Sequence, residues 1–195
     1  MPKAALKSMP LSWSPDKLLG IFGMKGVLRY QFTIPLQTPS NNEIKEMSFW
    51  AYRALRKRIA YEALKAIGGR RPNKPIEQAF LVVRRYCAGS LDWSNCSGGI
   101  KPLEDALVLP RALRDKGVAK KRRGESNPDG IGLIYDDDRA HMPLHPWVEQ
   151  LPAKRGEGYT EVLVYEISPQ DTSVDAAQPA KNSMASDEVM ASGFA

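Results

Sequence analysis

Asp92, Asn95, Lys101 and Asp105 fall within the stretch "SLDWSNCSGGIKPLEDAL", and three consecutive acids, Asp136, Asp137 and Asp138, follow "IGLIY" further along. These are the residue types from which phosphodiester chemistry is assembled. Carboxylates that converge cannot all stay charged without a cation, and hard oxygen donors favour magnesium or manganese over zinc. A lysine beside them can offset the charge that builds on a phosphoryl group in its transition state. Lys101 and Asp105 stand four residues apart, so on a helix they share one face. Each feature has a plainer explanation. An acidic triplet often caps a turn, a lysine and aspartate at this spacing often form only a surface ion pair, and Asp92 could cap a turn by itself.

Rival constellations are weaker. Cys87, Cys96, His141 and His145 could in principle hold zinc, but the cysteines are nine positions apart, outside the usual pairing of a zinc knuckle. A Cys-His nucleophile is equally formal, because Cys87 lies inside an apolar run where burial is expected. Trp93, next to Asp92, could stack on a base or join the core.

The elements that must position these residues follow from patterning. "VLRYQFTIPL" alternates and reads as a strand, and "QTPSNN" ends it with polar caps. A long helix is expected over roughly residues 43–67, with Met47, Ala51, Leu55, Ile59 and Ala63 forming an apolar stripe. "IEQAFLVVRRYC" reads as a central strand, apolar throughout its middle. The Gly98-Gly99 turn then leads into a helix from about Ile100 to Lys116, which Pro110 should break near Val108. "IGLIYDDD" reads as a short strand and "YTEVLVYEIS" as a final alternating one. "SPDKLLGIF" reads as one short helix capped by Ser14. The sum is an α/β (α+β) chain with one small domain over 28–168, an extension over 1–27, a basic insertion at about 115–130, and a disordered tail over 169–195.

Composition narrows the partners. The 195 residues carry a net charge of +6 with a pI near 9.3. The tail from Pro169 is net −3, so the rest of the chain carries +9. Positive charge concentrates at Arg53, Arg56, Lys57 and Arg58, and again at Lys120, Lys121, Arg122 and Arg123. Such clusters attract phosphate and favour a nucleic-acid partner, although a solvated basic face is the alternative. No run approaches the roughly 18 apolar residues of a membrane helix, and the start lacks a secretory leader pattern. With only two cysteines, a reducing cytoplasm is the expected setting.

The order "PSNN", long helix, "LDWSN", glycine turn, "KPLEDAL" and "YDDDRAHM" resembles the RusA-type Holliday-junction resolvases over roughly residues 28–168. The resemblance implies a small mixed sheet with two main helices, a homodimer, and magnesium-dependent paired nicking of a four-way DNA junction. It implies Asp92 as a metal ligand, Asn95 as its supporting asparagine, Lys101 as the catalytic lysine and Asp105 as the aspartate one turn on. Asp137, with Asp136 close behind and Asp138 supporting, would complete the metal site. Asn41 and Asn42, with Arg53, Arg56, Lys57 and the Lys120–Arg123 cluster, would contact DNA. One departure stands out: Ser94 occupies the place of the family's second aspartate. A hydroxyl is a weaker ligand than a carboxylate, so a junction-binding module with weakened or lost catalysis is the second expectation. A structural or partner-binding phage protein is the third.

Overall fold

The computed structural model describes residues 14–110 and 128–170. Helix α1 (Pro15–Ile21) opens the described chain, with the Ser14 hydroxyl accepting from the Lys17 amide and Pro15 in the first turn, as the sequence predicts. Strand β1 (Met24–Ile34) follows, beginning a little ahead of the expected start.

The helix expected over 43–67 is two helices, α2 (Asn41–Glu46) and α3 (Phe49–Ala66). Met47 is extended at φ −70° and ψ 136°, and Ser48 caps the second helix by accepting from the Ala51 amide. The apolar spacing runs through this break, but two serine caps decide it. Ser40 forms a capping box with Glu43, and Ser48 starts helix anew.

Strands β2 (Ala79–Cys87), β3 (Trp147–Pro152) and β4 (Tyr159–Pro169) complete a mixed sheet in the order β1-β4-β2-β3. β4 runs antiparallel to both β1 and β2, while β2 and β3 are parallel from Val82 opposite Trp147 to Cys87 opposite Pro152. This is an α+β fold. Between β2 and β3 the chain makes α4 (Trp93–Gly98) and α5 (Lys101–Leu107). α5 stops at Val108, which turns extended ahead of Leu109-Pro110, as the proline predicts. The remainder of the helix expected to Lys116 lies outside the described residues, as do most of the basic insertion and the tail beyond Gln170.

"IGLIY" is not a strand of the sheet. Ile134 makes isolated bridges to Ile76 and Val108, and the segment is threaded between the end of α5 and Ile76. Leu133 donates to Leu107 at 2.8 Å and accepts from Ile76 at 2.9 Å, so its backbone is satisfied without joining the ladder. β3 was not expected, because "PWVEQLP" is bounded by Pro146 and Pro152 and shows no clean alternation.

Successive residues of β2 serve opposite faces, which explains its unbroken apolar run. Leu81 and Val83 join Ile34, Val162 and Val164 under α3 and α5, with Ile59, Ala63, Leu103 and Leu107 fully buried there. Phe80 and Val82 face the other way, with Leu163, Tyr165, Ile167 and Leu19 of α1. A Cβ on Gly26 would stand 2.3 Å from the Leu19 side chain, so the glycine lets α1 lie close across β1. No described helix is long and apolar enough to cross a membrane.

Candidate active site

The site begins with the anchoring of α5. Leu103, Ala106 and Leu107 are wholly buried, which fixes the helix and turns Lys101, Glu104 and Asp105 to its open side. The Lys101 ammonium pairs with Asp105 Oδ1 one turn on at 3.1 Å, with Asp137 Oδ2, and with Glu104 Oε2 at 4.0 Å. Burial alone would lower the ammonium's pKa. The hydrogen bond to Asp137 and the fields of Asp105, Asp137 and Glu104 outweigh it, so Lys101 is held charged above its usual range.

The acidic triplet divides its work. Asp137 faces Lys101, and its own amide donates to Asp136 Oδ1 at 2.9 Å. Asp138 instead holds a turn, accepting from the Ala140 and His141 amides and pairing with His141 Nδ1 at 2.7 Å. Asp105 is braced from α3. Tyr52 donates its hydroxyl to Oδ2 at 2.8 Å, and Arg56 approaches the same oxygen at 3.9 Å. Arg56 also reaches Asp129 at 3.5 Å and keeps only 14% of its side chain exposed. That places it inside an ion-pair network rather than on the outer basic face. Arg53, half exposed, pairs with Asp129 at 3.8 Å, while Lys57 is exposed. Lys120, Lys121, Arg122 and Arg123 lie outside the described residues.

Glu104 was not singled out by its sequence, although its position three residues after Lys101 on the same helix is legible there. Burial pushes its carboxyl up to about 7, against the pull of Lys101 and with the push of Asp137 and Asp105. It lines a cleft of about 430 Å³ with Trp93, Ser97, Ile100, His145 and Pro146. Trp93 is 60% exposed, so it belongs to the cleft's rim and not to the core.

Asp92 stands at the start of α4. It is the helix N-cap, with Oδ1 accepting from the Asn95 amide at 2.9 Å and the Ser94 hydroxyl at 2.7 Å, and Oδ2 accepting from Asn95 Nδ2 at 2.6 Å. These bonds, led by the Asn95 amide, hold its carboxyl down at about 2. Asp92 is not among the carboxylates paired with Lys101. The structure thus brings Lys101, Asp105 and Asp137 together. Asp92 makes no ion pair with Lys101, and its neighbour Trp93 lines the cleft that Glu104 also lines.

The glycine pair has a steric reason. A Cβ on Gly99 would lie 1.9 Å from the Pro39 carbonyl oxygen, and one on Gly98 would lie 2.6 Å from the Asn41 side chain. "PSNN" therefore packs directly on the turn between α4 and α5. Asn41 is half-buried there, and Asn42 is exposed. Arg85, buried beneath, donates Nε to the Thr38 carbonyl at 2.8 Å and ties the same segment to β2.

Cys87 and Cys96 are both buried and free, and burial raises the Cys96 thiol, which suits neither a nucleophile nor a zinc ligand. Among the described residues no three His, Cys, Asp or Glu side chains are grouped to hold an ion. Magnesium seldom asks for such a cage: it keeps several waters and is commonly bound by one or two carboxylates plus substrate phosphates. The half-exposed Asp136 and Asp137 fit that partial role by chemistry and position. Asp92, fully ionised and open to solvent, offers a further hard oxygen ligand.

No protein-family model matches the sequence, and no curated protein matches it.

Proposed function

We propose that the chain is a magnesium-dependent endodeoxyribonuclease that acts on branched DNA, as its resemblance to the RusA-type resolvases implies. The observation that supports this most is the Lys101 ammonium held between Asp105 and Asp137, which come from well-separated parts of a basic chain. Asp137, Asp136 and Asp92 would be the magnesium ligands. The ion would polarise a phosphoryl oxygen and lower the pKa of a bound water.

The chain's own residues supply the rest. Lys101, kept charged by its carboxylate neighbours, can donate to a non-bridging phosphate oxygen as negative charge accumulates. Asp105, fixed by Tyr52 and Arg56, holds that ammonium in place from behind. Glu104, poised near neutrality at the cleft wall, can take a proton from attacking water. Water then forms the new P–O bond, the phosphodiester P–O bond breaks, and the leaving oxygen is protonated from solvent. Paired incision of a symmetric junction requires two such sites facing related strands, hence a homodimer.

A second reading is favoured by one observation. Ser94 spends its hydroxyl proton on Asp92, so where a second carboxylate could add metal affinity there is a donor that satisfies the first. On that reading the protein binds junctions and cuts them poorly or not at all.

A synthetic four-way junction with magnesium or EDTA separates the two. Symmetric, magnesium-dependent nicks are expected, and Lys101→Ala should slow them by about 100-fold or more. Salt-sensitive binding without nicks supports the second reading. If Lys101→Ala cuts as fast as the parent, the site is misassigned.

A further inference from the structure

α3 carries a feature that junction cleavage does not use. Trp50 is 72% exposed and Tyr61 64% exposed, an unusual state for large aromatic side chains on a helix packed against a core. At about 100° per residue, Trp50, Arg53, Lys57 and Tyr61 fall within about 80° of arc. That arc is turned well away from the buried Ile59 and Ala63, and the small buried Ala60 borders its Arg53 edge. Phe49, 68% exposed, meets Trp50 edge-on with ring centroids 5.4 Å apart at 75°, which gives the indole a rigid neighbour. Among the described residues Lys57 makes no ion pair. Glu62, the only acid in α3, falls off the stripe.

We infer that this outward stripe of α3 is a stacking platform for the unpaired bases of single-stranded DNA, with Trp50 and Tyr61 as stacking faces and Arg53 and Lys57 as phosphate contacts. Charge selects the occupant. A second copy of the chain docked symmetrically here would set Arg53 and Lys57 against their own equivalents, which is repulsive, whereas a polyanion with flat bases satisfies both aromatic and cationic groups. The eleven steps from Trp50 to Tyr61 span about 16 Å of helix, room for roughly five nucleotides at about 3.4 Å each. Arg53 is shared with Asp129 at 3.8 Å, a loose pair that leaves about half of its side chain open to a phosphate. The platform needs neither metal nor cleavage.

The test is fluorescence anisotropy of a labelled oligodeoxythymidylate titrated with full-length protein in EDTA, which separates binding from nicking. Trp50→Ala should weaken binding by about fivefold or more, since base–aromatic stacking is worth roughly 1–3 kcal/mol per base. Trp50→Phe should recover most of that loss, and Tyr61→Ala should reproduce it in part. Lys57→Ala should flatten the dependence of log K on log salt by about 0.7. Binding to blunt duplex should be nearly indifferent to Trp50. The inference is overturned if the parent does not bind the oligonucleotide, or if Trp50→Ala and Tyr61→Ala both bind like the parent. Equal weakening of duplex binding overturns it too. So does a parent dimer that Trp50→Ala converts to monomer, because the face then belongs to a second copy. A parent that binds the oligonucleotide normally but never nicks junctions leaves the platform standing and removes only the nuclease reading.

Discussion

At the scale of single residues, the acids Asp92 and Glu104 do different jobs, and substitutions can separate them. Asp92 caps α4 and is fully ionised. Asparagine caps about as well as aspartate, so Asp92→Asn should melt within a degree or two of the parent while losing magnesium-dependent nicking. Asp92→Ala should cost about 1 kcal/mol in addition, seen as a lower urea midpoint. Glu104 carries a pH signature. Its folded pKa is raised from 4.5 to about 7, so the stability it contributes is fully present below pH 4.5 and is lost as pH rises through about 7. Glu104→Gln should therefore be more stable than the parent by on the order of 2 kcal/mol at pH 8 and close to it at pH 4, measured by urea unfolding. The pairing of Lys101 with Asp105 was legible from helical spacing. Which acid of the triplet would face it was not, because that depends on a turn in which Asp138 is taken by its own His141. Ser94 was legible as a change of ligand but not as a hydrogen-bond donor to Asp92.

At the scale of elements, the sequence yields strongly patterned strands and caps well, and yields the proline-bounded β3 and interruptions poorly. β2 and β4 were readable because their apolar patterns state which faces they bury, and α1 because Ser14 and Pro15 mark its start. The break at Met47-Ser48 was hidden under a helical stripe that continues across it. α4 was missed because Asp92 read as a ligand, and a cap and a ligand look alike in sequence. "IGLIY" has strand composition, yet its hydrogen bonds go to α5 and Ile76. The Gly98-Gly99 pair drew notice as a turn, but its reason is distant in sequence: the Pro39 carbonyl occupies the space a side chain would need. Gly99 has ordinary right-handed helical angles, so backbone strain is not at issue. Gly99→Ala should cost about 3 kcal/mol through overpacking alone, whereas Ala88→Gly, at an exposed site, should cost far less. Thermal melts of the two variants compare them directly, and equal losses would mean the 39–41 segment can move aside.

At the scale of the whole molecule, charge sets the conditions under which any DNA contact operates. With +9 ahead of an acidic tail, binding to duplex should fall steeply as salt rises. Changing Lys120, Lys121, Arg122 and Arg123 together to alanine should flatten the log–log slope by up to about 3.6 if all four meet phosphate. An unchanged slope would assign that cluster to solvent. The sheet itself has consequences of a different kind. Its second face, built from Phe80, Val82, Leu163, Tyr165 and Ile167, is roofed by Leu19 of α1. A polypeptide trimmed to start at Val27 would keep every residue of the cleft, yet it would present a greasy plate to water. Such a fragment should light up hydrophobic dyes and clump during purification, so its silence in an assay would report a missing lid on the far side rather than anything about the chemistry.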